Sequence, residues 1–211
     1  MPLILRRATS GPAYDWEHLL ASFCSFVKPN SIVLEIGASV PSRTRQIASR
    51  CASVIGIEFF PDRVPQKTGE NIRYVVGDWQ KLTNVLGLES IDLAISSHVI
   101  EHVPDDLAAI DELYAVLKPG GVALINTPNR KRLVRSIIEC FTGERRFPWW
   151  EHVREYTEPD LQRLLERSKF SRYEIAPVAL GVQGGPVYFY STWTPAPARR
   201  LANFWEVHLF K

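Results

Sequence analysis

Apolar runs and helical patterns alternate along the first 126 residues of the chain. Short apolar runs predict strands, and the segments between them space their apolar residues as amphipathic helices do. After a helix over 13–27, the pattern predicts strands at 31–37, 53–58, 72–77, 91–96 and 121–126, with helices at 42–51, 61–68, 79–86 and 105–117. This alternation is typical of a parallel sheet with helices on both faces.

The pattern becomes less regular after Pro128. We expect a helix from Thr157 to about Ser168, a strand over 170–177 and a final strand over 203–211. Two long segments, 127–156 and 178–202, do not fit the alternation, and long connections of this kind are usually functional. We therefore predict that both are lid or substrate-binding insertions within one domain over 1–211.

The first of these segments contains a basic helix followed by an aromatic run. The apolar face of the helix holds Leu133, Val134, Ile137 and Ile138, and the run is Arg145 to Trp150. One interpretation is a solvated basic face with the apolar stripe packed inward. The others are a docking surface for an anionic or membrane-embedded substrate, or a contact in a homodimer.

Composition narrows the class of protein. The chain has 211 residues, is 45% apolar and has a formal net charge of +2, which predicts no strong affinity for nucleic acid or anionic membranes. Its three cysteines, Cys24, Cys51 and Cys140, lack metal-ligand or redox spacing. With no apolar signal core and no membrane-spanning run, we expect a cytoplasmic protein with reduced thiols.

A glycine turn and an acidic residue follow the first two strands of the alternating region. The first strand ends in Glu35-Ile-Gly37-Ala38-Ser39, and the next ends in Glu58. A glycine lets the backbone approach a ligand, and an acid at the tip of the next strand suits a pair of ribose hydroxyls. These features predict a nucleotide site, although a strand-ending turn without a ligand is the simpler explanation of Gly37 alone.

The next two strands end in further polar motifs. Gly77-Asp78-Trp79 closes the third strand, where Asp78 also suits a helix cap. The fourth strand runs into Ser96, His98, Glu101 and His102, and a Lys-Pro-Gly-Gly turn at 118–121 follows later. In this order and spacing, over about residues 14–175, the motifs resemble those of the class I S-adenosylmethionine-dependent methyltransferases.

This resemblance implies a Rossmann-like, doubly wound α/β sheet of seven strands, mostly parallel with an antiparallel last strand. It implies S-adenosylmethionine as cofactor, with Glu58 on the ribose, Asp78 with Trp79 on the adenine, and the 37–39 turn with Ser96 on the methionyl end. Ser39 stands where the family usually has a second glycine. The implied cofactor contacts are Glu35, Gly37, Ala38, Ser39, Glu58, Phe59, Gly77, Asp78, Trp79 and Ser96.

Three of the five histidines form a candidate metal site with one carboxylate. His98, Glu101 and His102 would share one face of a helical turn, and His152 follows the first long segment. The pattern resembles the Glu-x-x-Glu-His metal motif of ubiquinone-biosynthesis catechol O-methyltransferases and of small-RNA 3′-end 2′-O-methyltransferases. His98 replaces the first glutamate, which favours Mn²⁺, Fe²⁺ or Zn²⁺ over Mg²⁺.

Two other roles for these histidines stay open. His98 could be a general base that removes a hydroxyl proton beside the transferred methyl group. Alternatively, the histidines are structural, as in metal-free relatives. The candidate catalytic residues are therefore His98, His102 and His152.

The histidines favour oxygen as the acceptor atom, and the segment from His152 to Leu161 resembles small-molecule methyltransferases. This resemblance implies O-methylation of a hydroxyl on a sugar, phenol or secondary metabolite. The alternatives are a catalytically silent partner subunit with the same fold, which Ser39 would permit, and a metal-dependent 2′-O-methyltransferase of RNA ends. An NAD-dependent oxidoreductase is disfavoured because the chain lacks the full Gly-x-Gly-x-x-Gly turn. We expect a small-molecule acceptor as partner.

Overall fold

The computed structural model describes residues 4–7, 13–66, 69–143, 151–184, 187–191 and 196–211. The described helices are α1 (Ala13–Phe26), α2 (Pro41–Ala48), α3 (Asp106–Val116), α4 (Leu133–Thr142) and α5 (Glu158–Arg167). The described strands are β1 (Ile4–Arg7), β2 (Ile32–Ile36), β3 (Ser53–Glu58), β4 (Ile72–Val76), β5 (Ile91–Ser97), β6 (Leu117–Pro128), β7 (Arg172–Val178), β8 (Leu180–Gly184), β9 (Val187–Ser191) and β10 (Phe204–Phe210).

A seven-stranded sheet has the order β4-β3-β2-β5-β6-β10-β7. Strands β2 to β6 run parallel, while β10 is antiparallel to both β6 and β7. The prediction of a doubly wound sheet with an antiparallel last strand is therefore confirmed. The chain moves outward from β2 to β4 and then returns to β5, which places a switch point between β2 and β5, where such sheets bind ligands.

Helices cover both faces of this sheet because its central strands are apolar on both sides. Leu34 of β2 belongs to a core shared with α3 and α5, and its neighbour Val33 belongs to a second core with Leu19 and Phe23 of α1. Successive side chains of a strand point to opposite faces, so β2 contributes to both cores. Burial on both faces fixes the position of β2 at the centre of the site.

Two predicted helices are instead short 3₁₀ turns, at Pro61–Arg63 and Trp79–Asn84. The first stops because Val64 precedes Pro65 and takes an extended conformation, as residues before proline prefer. The second contains Lys81 at φ −146°, which is not helical. The sequence pattern overestimated both lengths because apolar spacing alone does not reveal such breaks.

The segment 178–202 was expected to be irregular, and this expectation is wrong for its first part. Strands β8 and β9 pair antiparallel, and β9 pairs with β1 in a separate three-stranded sheet. The residues of β9, Val-Tyr-Phe-Tyr-Ser, have high strand propensity. The glycines and prolines around these residues made the segment look irregular in the sequence. Residues 185–186 and 192–195 lie outside the described part.

Helix α4 lies within the predicted lid 127–156, of which residues 144–150 lie outside the described part. The interpretation in which the apolar stripe packs inward holds only for its first part, because Leu133 and Val134 are half-buried while Ile137 and Ile138 are exposed. Phe141 is also exposed, whereas Arg135 is buried and pairs with Glu139 and Glu155. A buried carboxylate such as Glu155 requires nearby cations, and this requirement turns the charged face of α4 inward.

Helix α1 is joined to β10 by hydrogen bonds around the buried Glu206. Its carboxylate accepts from Ser22 Oγ at 2.5 Å and lies 2.8 Å from His18 Nδ1 and 2.7 Å from His208 Nε2. Burial alone would raise the pKa of Glu206, but these hydrogen bonds outweigh it and lower the pKa to about 2. The hydrogen bond that His18 donates to Glu206 is the largest cause of the raised pKa of His18.

We predict that Glu206→Gln destabilises the fold in a pH-dependent way. Because the pKa of Glu206 is lowered from 4.5, its ionised form stabilises the folded protein above pH 4.5, and this stabilisation is lost as pH falls toward 2. Because the pKa of His18 is raised from 6.5, its protonated form stabilises the folded protein below pH 6.5, and this stabilisation is lost as pH rises through the raised pKa. The variant should therefore show its greatest loss of Tm between pH 4.5 and 6.5, at roughly 4 °C or more.

Thermal unfolding of the wild type and Glu206→Gln at pH 3 and pH 5.5 measures this deficit. Glu174→Gln, which changes an exposed carboxylate on β7, is the control. An equal deficit at both pH values would contradict the ionic account of the Glu206 network.

Candidate functional site

A cleft of about 720 Å³ opens at the carboxyl ends of β2, β3, β4 and β5, at the switch point of the sheet. It lies where the sequence predicted a nucleotide site. Of the expected cofactor contacts, the cleft is lined by Glu35, Gly37, Ser39, Glu58, Phe59, Gly77, Asp78 and Trp79, and also by the candidate catalytic residues His98 and His102. Ala38, Ser96, Glu101 and His152 are not among its described lining residues.

The turn after β2 requires glycine at position 37. Gly37 has φ +79°, and a Cβ there would lie 2.5 Å from Val99 Cγ2. The amides of Gly37 and Ala38 donate to the Ile57 carbonyl at 2.8 and 3.1 Å, and the Ser39 amide donates to the Gly37 carbonyl at 2.9 Å. These three amides are therefore engaged within the protein, which does not support the expectation that they meet the methionyl end of a cofactor.

Glu58 ends β3 at the wall of the cleft. The residue is buried, and its Oε1 accepts a hydrogen bond from the Phe60 amide at 3.2 Å. A carboxylate has about four acceptor sites, so Glu58 keeps capacity for a ligand. Phe59 and Phe60 are exposed beside it, in an edge-to-face pair with centroids 5.1 Å apart. The cleft thus combines a fixed acid with an uncovered aromatic wall.

Asp78 has the capping role that the sequence offered as an alternative, and it also lines the cleft. Its Oδ1 accepts from the Gln80 amide at 2.9 Å and from Gln80 Nε2 at 3.1 Å. The neighbouring Trp79 is buried, and its Nε1 has no hydrogen-bond partner among the described atoms. A buried indole N–H normally has an acceptor, and none of the described protein atoms supplies one here.

The serine that faces the cleft is Ser97 rather than the expected Ser96. Neighbouring side chains of β5 point to opposite faces, and Ser96 is buried on the other side. The sequence pattern located the strand correctly but not which of the two adjacent serines faces the ligand.

Two lining residues, Trp16 of α1 and Arg43 of α2, were not predicted. The Arg43 guanidinium lies 4.9 Å from the centroid of the Trp16 ring, a cation–π distance. Trp16 Nε1 also donates to Gln46 Oε1 at 3.0 Å, so the two helices are joined beside the cleft. Neither residue belongs to a local motif, because the contact depends on how α1 packs against the sheet.

Glu35 lines the same region of the cleft and is buried. Its Oε2 has no hydrogen-bond partner among the described atoms. Burial raises the pKa of this carboxyl to about 7, although a hydrogen bond from Thr44 and the charge of Arg43 act in the opposite direction. Glu35 is therefore a cleft-lining residue with a buried carboxyl oxygen that no described group satisfies.

His98 is held between two buried acids. Its Nε2 lies 2.5 Å from Asp15 Oδ2, and its Nδ1 lies 3.4 Å from Glu101 Oε1. Burial alone would lower the pKa of His98, but the hydrogen bonds and charges of the two acids raise it to about 9. A histidine that is protonated at neutral pH cannot accept a proton or bind a metal, so this geometry does not support either role for His98.

The other candidate ligands lie together. The group consists of Glu101, His102 and His152, each of which offers one ligand atom within 4.8 Å of the other two. His98 is not part of it. The Glu101 carbonyl accepts from the amides of Val153 and Arg154 at 2.9 and 3.2 Å, which brings the residues after the aromatic run onto the His102 turn.

Both imidazoles in this group use Nδ1 for a hydrogen bond within the protein. His102 Nδ1 lies 3.1 Å from the Glu151 carbonyl oxygen, and His152 Nδ1 lies 3.1 Å from Glu155 Oε1. Since these oxygens can only accept, each Nδ1 carries a proton, and in the neutral ring the lone pair is then on Nε2. Metal-binding histidines are usually oriented in this way, so the group fits a divalent metal.

None of the helices in the described parts of the chain combines the length and apolar content needed to cross a bilayer.

Comparisons with known proteins match part of the chain to methyltransferases. Residues 34–125 match a family described as a methyltransferase domain. The chain is 30% identical over 146 residues to the ubiquinone biosynthesis O-methyltransferase of Dinoroseobacter shibae, covering 64% of this chain and 58% of the relative. It is 28% identical over 126 residues to trans-aconitate 2-methyltransferase of Deinococcus radiodurans, covering 57% and 45%. The chain thus spans about half the length of these curated relatives.

Solved structures share the fold. A SAM-dependent methyltransferase from Archaeoglobus fulgidus superposes with a TM-score of 0.64 at 16% identity, covering 92% of each chain. Phosphoethanolamine N-methyltransferase 2 of Haemonchus contortus, solved with S-adenosylmethionine, gives 0.58 at 22% identity, covering 77% of this chain and 38% of that one. With the strand order, these findings identify residues 34–125 as a match to a methyltransferase domain and show that the chain has the fold of the class I S-adenosylmethionine-dependent methyltransferases.

Proposed function

We propose that this protein transfers a methyl group from S-adenosylmethionine to a hydroxyl oxygen of a small molecule. The observation that carries the proposal is the position of His102, which lines the cleft and also belongs to the group with Glu101 and His152. Candidate groups for handling an acceptor proton therefore lie beside the candidate donor site.

The donor would lie along the carboxyl ends of β2, β3 and β4. Glu58 would accept hydrogen bonds from the two ribose hydroxyls, because it is fixed at the cleft wall with acceptor capacity left. Asp78 would accept from the adenine amino group, and the Trp79 indole N–H would donate to a ring nitrogen. The exposed ring of Phe59 would pack on the adenine face.

Methyl transfer makes an oxygen–carbon bond as the sulfur–carbon bond breaks, and it releases S-adenosylhomocysteine and the hydroxyl proton. The acceptor must be held in line with the sulfonium, and its proton must be removed. Glu101, His102 and His152 are better suited to this task than His98, which the two neighbouring acids keep protonated. The acceptor would enter from the side of the 127–156 segment.

A divalent metal is part of the proposal. Two imidazole nitrogens and one carboxylate suit Mn²⁺, Fe²⁺ or Zn²⁺ better than Mg²⁺. Such an ion, when bound, would lower the pKa of the acceptor hydroxyl. The Glu151 carbonyl would orient the His102 ring and Glu155 the His152 ring, so that the Nε2 atom of each imidazole could bind the ion. The ligand set differs from the sequence-based one because His98 is engaged elsewhere.

The same group also leaves a 2′-O-methyltransferase of RNA ends as a second candidate. The net charge of +2 weighs against extensive phosphate contact, and one curated relative is an O-methyltransferase of ubiquinone biosynthesis. A catalytically silent subunit would need no donor, yet Glu58, Asp78 and the glycine turn all line an open cleft. The small-molecule enzyme is therefore preferred.

We predict that Glu58→Ala weakens binding of S-adenosylmethionine by at least roughly tenfold, because charge-assisted hydrogen bonds to the ribose are lost. Asp78→Ala should weaken it less, since one amino group is affected. Isothermal titration measures both, and Glu70→Ala, which removes an exposed acid away from the cleft, is the control. Undiminished affinity in Glu58→Ala would refute the ribose assignment.

We also predict that the purified, tag-free protein contains near-stoichiometric Mn, Fe or Zn. His102→Ala and His152→Ala should each lose most of the metal, by roughly tenfold or more. His98→Asn should keep it, because asparagine tolerates the backbone φ of +56° at this position. Elemental analysis checks these outcomes.

The result for His98→Asn separates the two ligand sets. If this variant loses the metal, His98 is one of the metal ligands after all. A wild-type protein that is fully active without metal would end the metal proposal and leave the donor site untouched.

A further inference from the structure

The loop between β5 and α3, residues 98–104, contains cleft-lining residues and depends on another segment for its hydrogen bonds. Its 3₁₀ turn, Ile100–His102, is only three residues long, and so short a turn leaves carbonyl groups without backbone partners. The carbonyls of Glu101, Val103 and Pro104 accept from residues about fifty positions later in the chain. The shape of this loop is therefore set from outside it.

Arg154 supplies most of these hydrogen bonds. Its Nη1 donates to the Val103 carbonyl and its Nη2 to the Pro104 carbonyl, each at 2.7 Å. Its backbone amide donates to the Glu101 carbonyl at 3.2 Å, and Nη1 also lies 3.3 Å from Asp106 Oδ2. A planar guanidinium can bond two neighbouring carbonyls at once, which an ammonium cannot do with the same geometry.

The same contacts bring two histidines together. His152 lies two residues before Arg154, and its ring meets the His102 ring edge to face, with centroids 4.8 Å apart. The Glu151 carbonyl, one residue earlier, accepts from His102 Nδ1 at 3.1 Å. Arg154 itself is not among the described residues that line the cleft. Any effect it has on the site must therefore pass through the residues that it holds.

We propose that Arg154 is the positioning residue that holds His102 and His152 in contact beside the cleft. The proposal rests on the proposed function, in which these histidines handle the acceptor proton, and deepens it. Glu155 orients the His152 ring, whereas Arg154 fixes the segment that carries the ring onto the His102 loop. The fork on two carbonyls provides this hold, and the charge opposite Asp106 alone does not.

Nuclear magnetic resonance of protein labelled at histidine tests this role without an acceptor or a metal. A nuclear Overhauser effect between the His102 and His152 rings reports their contact, and hydrogen exchange at the Val153 amide, which donates to the Glu101 carbonyl at 2.9 Å, reports the docking of the segment. The variants are Arg154→Ala and Arg154→Lys. The matched control is Arg163→Ala, which removes a guanidinium that is 66% exposed on α5.

Arg154→Ala should lose the Overhauser effect between the two rings, and its Val153 amide should exchange at least roughly tenfold faster. Arg154→Lys should lose the effect as well, although it keeps a charge opposite Asp106. Guanidinium chloride at about 20 mM, far below unfolding concentrations, should restore the contact in Arg154→Ala, whereas equal sodium chloride should not. Arg163→Ala should match the wild type in both measurements.

S-adenosylhomocysteine provides the test of a general disturbance. Its affinity for both Arg154 variants, measured by isothermal titration, should stay within about threefold of the wild type, because Arg154 does not line the cleft. A loss of affinity that accompanies the loss of ring contact would mean that the substitution disturbs the whole cleft, and it would overturn the positioning role.

Two further results would overturn the role while leaving the proposed function in place. One is an Arg154→Ala variant that keeps the wild-type ring contact. The other is an Arg154→Lys variant that matches the wild type, which would reduce Arg154 to its ion pair with Asp106; this variant also decides the question if Arg154→Ala does not fold. A wild-type protein that does not bind S-adenosylhomocysteine would instead reject the proposed function, and the catalytic meaning of the histidine pair with it.

Discussion

Burying a carboxylate is costly unless cations or hydrogen-bond donors accompany it, and this requirement organises the site. Six carboxylates are buried among the described residues, namely Asp15, Glu35, Glu58, Glu101, Glu155 and Glu206. Protein groups satisfy most of their oxygens, and these partners join elements that are distant in sequence. The Glu206 network fixes α1 to β10, and the pair of Asp15 with His98 fixes α1 to the end of β5. Asp15 Oδ1, Glu35 Oε2 and Glu101 Oε1 have no hydrogen-bond partner among the described atoms, and of these three residues Glu35 also lines the cleft.

The same constraint bears on the two roles that the sequence left open for His98, general base and metal ligand. His98 lies one residue beyond β5 and lines the cleft, which suits a base as well as a ligand. Its state depends on Asp15, which is 83 positions away in the sequence, and on Glu101. Two acids around one imidazole stabilise its charged form more than burial destabilises it. The proposed function therefore gives the acid–base role to His102 and His152, whose Nδ1 atoms pair with a carbonyl and a carboxylate.

Local signals in the sequence predicted the parallel strands, the Gly37 turn and the acids Glu58 and Asp78. Each depends on a few consecutive residues: an apolar run, a glycine and a polar residue at its end. Contacts between distant segments were not predictable in this way. Strand β1 is four residues long and is stabilised by β9, more than 170 positions later. Trp16 and Arg43 meet because α1 and α2 pack on one face of the sheet, which no local pattern encodes.

Helix α4 shows how an electrostatic requirement can reverse an amphipathic pattern. Its apolar spacing predicts that the Ile137 side packs inward, yet Arg132 and Arg135 face the protein because Glu155 is fully buried there. Exposing three apolar side chains costs less than leaving a buried carboxylate without its cations. Glu155 also holds His152 through Nδ1. A movement of α4 that separated its arginines from Glu155 would change the charge balance of the group that orients His152. The position of α4 and the orientation of His152 are therefore coupled through one buried carboxylate.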